Sequence, residues 1–254
     1  MKATPASFVW YELMTTDRAA AEAFYRAVVG WEMQPCDGGM PYTVASAGGR
    51  PAAGFMTLPE EARAAGMPPA WLGFVGVADV DAAADGIRQA GGAVHRAPED
   101  LPGIGRFAVV ADPQGAVFML FRPDQAEEPV APMTDGHVSW HELYATDWES
   151  AFAFYAGRFG WTKDQAMDMG PMGTYQLFAA GSLPIGGMMN RPAEMPVAAW
   201  LFYFGVPAID AAVERVKANG GRILNGPMEV PGGAWIVQAT DPQGAMFALV
   251  GMKR

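Results

Sequence analysis

The stretch WYELMTTDRAAAEAFYRAVVGW, Trp10–Trp31, returns in altered form as WHELYATDWESAFAFYAGRFGW, Trp140–Trp161. The tetrapeptide DPQG at Asp112–Gly115 returns unchanged at Asp241–Gly244, and in both places reads as a turn from one strand into the next. The offset is 130 residues at the first tryptophans, 133 at Tyr42/Tyr175 and 129 at Trp71/Trp200. A near-constant offset, broken only by small loop changes, means two tandem copies of one fold. The expected boundaries are residues 1–123 and 136–254, joined by a linker at 124–135 that is rich in proline and poor in apolar residues.

Within each copy a second periodicity appears. The run Phe8–Met14 reads as a strand and leads through Thr16 or Asp17, a good helix cap, into an amphipathic stretch Arg18–Val29. There Ala21, Phe24, Tyr25 and Val28 recur at helical spacing, and Gly30 closes the helix. Strand-like runs follow at Tyr42–Ala47 and Ala53–Leu58. The order then restarts with Trp71–Val77, a helix near Asp81–Ala90, and strands near Arg106–Ala111 and Ala116–Phe121. The module is strand, helix, three strands, the third strand being inferred from spacing alone. It runs twice per copy.

These motifs, in this order and twice over, resemble the vicinal oxygen chelate superfamily, which includes glyoxalase I, bleomycin-resistance proteins and extradiol dioxygenases. The residues that carry the resemblance are the opening strand with T-x-D, the helical Phe24-Tyr25 and Phe154-Tyr155, the G-W that follows, and DPQGA. The W-x-E-L-x-x-T-D form is further similar to tandem-domain, glyoxalase-like proteins often labelled hydroxylases. The implied fold class is α+β. Two tandem glyoxalase-like domains would each pair two βαβββ modules into a curved, incompletely closed, barrel-like sheet with outer helices. The implied assembly is an intra-chain pseudo-dimer, compatible with a monomer.

Catalytic members of that superfamily hold a divalent metal with His and Glu from four strands. Counting from the shared motifs, the first-strand position falls on Trp10 and Trp140, the fifth on Leu72 and Leu201, and the eighth on Met119 and Ala248. The fourth-strand segments PAAGFMTL and PIGGMMNR contain no His, Asp or Glu. Indole, leucine, thioether and methyl groups offer these ions no usable lone pairs. No metal and no other cofactor is therefore expected, and a metal-dependent glyoxalase or dioxygenase is the disfavoured reading. Of the three histidines, His95 and His137 lie outside these positions. His141 should turn to the helix side and bond to backbone.

Alternation puts Trp10, Glu12 and Met14 on one strand face, with Trp140, Glu142 and Tyr144 matching them. Leu72, Phe74 and Met119 should extend the first lining, and Leu201 and Tyr203 the second. A glutamate in an apolar strand costs free energy unless it is bonded or paired. One reading makes each glutamate structural, capping backbone N–H groups or pairing with an arginine such as Arg106. The other makes Glu12 and Glu142 catalytic, as carboxylates of raised pKa acting as general bases in a lyase, isomerase or hydroxylase-like reaction. The leading expectation is metal-independent binding of a small apolar or aromatic molecule. Methionines Met167, Met169, Met172, Met188 and Met189 either add deformable surface for a ligand or simply fill gaps in the core.

The bulk composition narrows the partners. With 51% hydrophobic and 17% charged residues the chain is globular. A net charge of −10 with four lysines argues against nucleic acid. No apolar run reaches the roughly 18 residues of a membrane span, and the N-terminus lacks a signal-peptide core. The single cysteine, Cys36 in a loop-like PCDGG, fits a reducing cytoplasm and reads as a bystander thiol.

Overall fold

The structure, a computed structural model, describes residues 6–36, 41–125 and 128–254. The extreme N-terminus, most of the PCDGG loop and two linker positions lie outside the described residues. Module one comprises β1 (Phe8–Thr15), α1 (Arg18–Val28), β2 (Glu32–Cys36), β3 (Tyr42–Ala47) and β4 (Arg50–Thr57), and a short α2 (Glu60–Ala64) follows it. Module two holds β5 (Ala70–Gly76), α3 (Val80–Gln89), β6 (Ala93–Leu101), β7 (Gly105–Ala111) and β8 (Val117–Pro123). Module three holds β9 (Val138–Ala145), α4 (Trp148–Phe159), β10 (Thr162–Asp168), β11 (Thr174–Ala180) and β12 (Leu183–Asn190). Module four holds β13 (Ala199–Gly205), α5 (Ile209–Ala218), β14 (Arg222–Glu229), β15 (Trp235–Thr240) and β16 (Met246–Gly251). The strand inferred from spacing is the one directly after each helix. Cys36 ends β2 rather than sitting in a loop, and its thiol is exposed.

The strands form two eight-stranded mixed sheets that do not close into barrels. Their orders are β2-β3-β4-β1-β5-β8-β7-β6 and β10-β11-β12-β9-β13-β16-β15-β14. In each module the three-strand meander returns its last strand parallel to its first, as β4 beside β1 and β12 beside β9. The fold is α+β, built from βαβββ modules in two tandem repeats.

Local chemistry places the helices. Asp17 caps α1 by accepting from the Ala20 N–H at 3.0 Å, and Asp147 caps α4 through the Glu149 N–H at 3.3 Å. Gly160 ends α4 at φ 72°, a left-handed conformation that suits glycine.

By contacts the chain divides into two compact units, and each draws on both repeats. Unit 1 comprises Met1–Val9, Gly73–Glu128 and Trp140–Trp200. Unit 2 comprises Trp10–Leu72, Pro129–Ser139 and Leu201–Arg254. In unit 2, Tyr25 stacks on Trp31 at 5.8 Å and meets Trp71 and Phe247 edge-on, each at 5.3 Å. In unit 1, Tyr155 stacks on Trp161 at 5.3 Å, meets Trp200 edge-on at 5.2 Å and tilts against Phe118 at 5.6 Å. The residues that recur in the sequence are thus the aromatic core of each unit.

The DPQG tetrapeptides make the turns expected of them and also reach beyond the turn. Asp112 Oδ1 accepts from the Gln114 and Ala116 N–H groups, while Oδ2 accepts from Tyr155 at 3.0 Å. Asp241 repeats the arrangement with Gln243, Ala245 and Tyr25. Burial raises both carboxyl groups above the ordinary aspartate range, and the hydrogen bonds oppose it.

Candidate functional site

The two glutamates are buried, Glu12 with 7% of its surface exposed and Glu142 with 6%. Each meets a tyrosine from the third strand of its own module. In unit 2 the Trp10 indole Nε1–H donates to the Tyr42 hydroxyl at 3.1 Å, and Tyr42 in turn donates to the Glu12 carboxyl. In unit 1 the Trp140 indole donates to Tyr175 at 2.8 Å, and Tyr175 donates to Glu142 Oε2 at 2.8 Å. Both modules hold the same tryptophan–tyrosine–glutamate relay.

A glycine makes each relay possible. Glu12 is in register with Gly54 on the parallel strand β4, and Glu142 with Gly187 on β12. A Cβ at Gly54 would lie 1.8 Å from the Tyr42 oxygen, and one at Gly187 would lie 2.2 Å from the Tyr175 ring carbon Cζ. The tyrosine occupies the space that a side chain on the fourth strand would need. Neither tyrosine was predicted as a site residue. The available signal was their equivalence in the repeat, together with a glycine opposite each glutamate.

Burial, partly offset by the bond from Tyr42, raises the Glu12 carboxyl from 4.5 to about 7. Tyr42 and Tyr175 are pushed well up, first by burial and then by the neighbouring carboxylate. Arg106 is not the partner of either glutamate. It forms ion pairs with Asp81 at 2.8 Å and Asp100 at 2.9 Å, which corrects the pairing considered from sequence. It sits on β7, where these two aspartates lie within reach.

The other residues expected to line the strand faces fall into two groups. In the first repeat Trp10, Met14, Tyr42 and Leu72 are half-buried. Phe74 and Met119, in register on β5 and β8, are each 5% exposed. In the second repeat Trp140 is half-buried, whereas Tyr144, Tyr175, Leu201 and Tyr203 are buried. The Tyr203 hydroxyl accepts from Gln238 Nε2 at 2.7 Å. Two surface grooves of about 360 and 310 Å³ lie along the α3 and α4 helices and contain none of these residues.

His141 lies apart from the relay. Its ring stacks on Phe8 at 4.4 Å and its Nδ1 bonds to the Ile185 carbonyl at 2.6 Å, the backbone bond expected of it. Burial lowers it to about 4, so the ring is neutral at pH 7. The loop methionines Met169 and Met172 are exposed, while Met188 and Met189 are buried on β12.

The donor set does not fit a divalent ion. The inferred ligand positions are Trp10, Leu72 and Met119 in one repeat and Trp140, Leu201 and Ala248 in the other. Strands β4 and β12 supply no imidazole or carboxylate. Among the described residues no three His, Cys, Asp or Glu side chains gather closely enough to hold an ion. Each relay presents one carboxyl group, already engaged by a phenol.

A family model described as Glyoxalase/Bleomycin resistance protein/Dioxygenase superfamily matches residues 7–120 and again 136–249. CFP32 of Mycobacterium bovis, provisionally named a glyoxylase, is 31% identical over 245 residues, covering 95% of this chain and 93% of its own length. The anthracycline biosynthesis protein DauV of Streptomyces sp. (strain C5) is 31% identical over 265 residues, covering 98% of this chain and 94% of its own. Among solved structures, the Mn(II)-bound glyoxalase from Novosphingobium aromaticivorans shares the fold with a TM-score of 0.69. It is 17% identical and covers 99% of this chain and 83% of its own.

Proposed function

The chain belongs to the Glyoxalase/Bleomycin resistance protein/Dioxygenase superfamily, and within it we propose that it binds a small apolar or aromatic molecule without a metal ion. The observation that carries this reading is the relay. At the first-strand position where the resemblance implies an ion ligand, this chain places an indole that is bonded in series to a phenol and a carboxyl, twice. An indole and thioethers form a wall suited to a flat molecule, and the carboxyl gives one polar anchor. The half-buried Trp10, Tyr42, Met14 and Leu72 favour the first repeat as the ligand face. The name of the relative DauV, an anthracycline biosynthesis protein, agrees with this ligand class.

The test is a titration with a planar aromatic probe such as 9-fluorenone, followed by tryptophan fluorescence and by thermal unfolding. Binding predicts saturable quenching and a melting temperature that rises with probe concentration. Trp10→Ala should weaken both. A linear, unsaturable response identical in Trp10→Ala would refute the reading.

A second reading rests on the burial of Glu12 in an apolar strand, which raises its carboxyl to about 7. A carboxylate so placed is suited to general-base work at neutral pH, in an isomerase, lyase or hydroxylase-like reaction. It requires turnover that Glu12→Gln abolishes while the melting temperature is kept.

A further inference from the structure

Hydrogen-bond direction in the first-repeat relay restricts what its ligand can be. The Trp10 N–H is spent on Tyr42, and the Tyr42 O–H is spent on Glu12. Both donors point along the chain toward the carboxyl. If Glu12 is ionised, the relay ends in a buried anion that offers a ligand no donor. If Glu12 is protonated, the relay ends in one O–H group that Tyr42 does not use.

The surroundings decide between the two states. Register on the strand face puts Gly54 and Met56 of β4 beside Glu12 and Met14 of β1. Tyr42 and Val44 of β3 lie next in the face, followed by Gln34 and Cys36 of β2. Farther along, Ser46 faces Glu32, the other carboxyl of this face. The titratable groups on this face, apart from Arg50 at the edge of β4, are therefore Glu12, Tyr42, Cys36 and Glu32, none of them cationic, and β5, on the other side of β1 in the sheet, carries none. Arg50, at the start of β4, exerts its charge on His137 instead. No cation shifts Glu12, and Tyr42 is its hydrogen-bond partner among the described residues. With 7% of its surface exposed, an uncompensated carboxylate is costly, and the neutral acid is the stable form when the site is dehydrated by a ligand.

Resting on the binding function proposed above, we infer that the first-repeat ligand is a planar aromatic molecule bearing a carbonyl-type oxygen, which accepts a hydrogen bond from the protonated Glu12 carboxyl. A cationic amine paired with the carboxylate is the opposite case. The half-buried rims of Trp10, Met14 and Leu72 would cover the aromatic plane, and the acid O–H would select its oxygen. Ligand and proton bind together, so affinity declines with rising pH as the acid ionises.

Three probes of one shape separate the cases: fluorene with no acceptor, 9-fluorenone with a carbonyl, and 9-aminofluorene with a cationic amine. Dissociation constants are measured by tryptophan fluorescence from about pH 5.5 to about pH 8.5. The expected result is that 9-fluorenone binds about tenfold more tightly than fluorene at the acid end, as one net hydrogen bond allows, and loses that advantage at the alkaline end. In Glu12→Gln the amide donates at every pH, so the affinity for 9-fluorenone becomes independent of pH. Should that variant fold poorly, the infrared carbonyl stretch of 9-fluorenone bound to the unaltered protein gives a second readout. It should fall on binding at acid pH and recover at alkaline pH. Equal affinities for fluorene and 9-fluorenone throughout, or tightest binding of 9-aminofluorene rising with pH, would overturn the inference while leaving aromatic binding intact. Failure of all three probes to bind would remove the binding function, and this inference with it.

Discussion

Tyr25, in the first helix of the first repeat, donates its hydroxyl proton to Asp241, in the DPQG turn of the second repeat, at 3.3 Å. Trp71 donates to the same phenol at 2.8 Å. Unit 1 has the counterpart: Trp200 donates to Tyr155 at 3.0 Å, and Tyr155 donates to Asp112. Each compact unit is therefore locked by one tyrosine from one repeat and one turn aspartate from the other. This accounts for the persistence of F-Y, the strand tryptophan and DPQG in both copies.

Tyr25→Phe should destabilise the chain by about 1–3 kcal/mol, because it strands a buried carboxyl and a buried indole N–H. Asp241→Asn should cost a comparable amount. The double variant should cost less than the sum, with a coupling of about 0.5–3 kcal/mol. Urea unfolding of the four proteins in the cycle measures it, and strict additivity would mean that the bond contributes nothing.

The glycines opposite the glutamates should be intolerant in different ways. Gly54→Ala drives a methyl into the Tyr42 oxygen, and Gly187→Ala drives one into the Tyr175 ring. Each should cost about 1–3 kcal/mol by overpacking. Adding Tyr42→Phe should relieve Gly54→Ala only in part, because the oxygen at 1.8 Å is removed while the ring carbon Cζ at 2.4 Å remains. Adding Tyr175→Phe should leave Gly187→Ala largely unrelieved, since the ring carbons remain. Melting temperatures of the paired variants check this.

The pH dependence of stability should carry two opposed limbs. Glu12 has a raised folded pKa, so its favourable term is full below 4.5 and is lost as pH rises toward about 7. The span corresponds to about 3 kcal/mol. His141 has a lowered folded pKa, so its term is full above 6.5 and is lost as pH falls toward about 4. The limbs offset one another where they overlap. Glu12→Gln should remove the first, gaining stability relative to the parent at alkaline pH and exposing the His141 limb. Denaturant midpoints measured across this range give the result, and parallel profiles for the two proteins would contradict the assignment.

Much of the fold was legible because the repeat shows the same apolar spacing twice. Phe24, Tyr25 and Val28 declare the helix face, and the alternation of Trp10, Glu12 and Met14 declares the strand. The recurrence of Glu12 as Glu142 also drew attention to two carboxyl groups in apolar strands, and both are buried. What the sequence hid was partnership. Nothing local tells that Tyr42 folds back over Gly54, since the contact joins strands brought together only by the sheet register. Arg106 was a plausible partner for a glutamate, but Asp81 and Asp100 lie nearer in the fold. The DPQG aspartates read as turn residues because their second oxygen acts only across the repeat. The grouping of modules into units was likewise invisible, since it depends on which helix covers which sheet.

The proposed binding function rests on an indole at the first-strand position of each repeat, bonded through a phenol to a buried carboxyl. The most direct measurement is the affinity of the purified chain for 9-fluorenone before and after exhaustive chelation, with elemental analysis of the same samples. The account predicts an unchanged dissociation constant, no stoichiometric transition metal in either sample, and loss of affinity in Trp10→Ala. A tightly held ion near Trp10 or Trp140, with binding abolished by its removal and restored by its return, would contradict it.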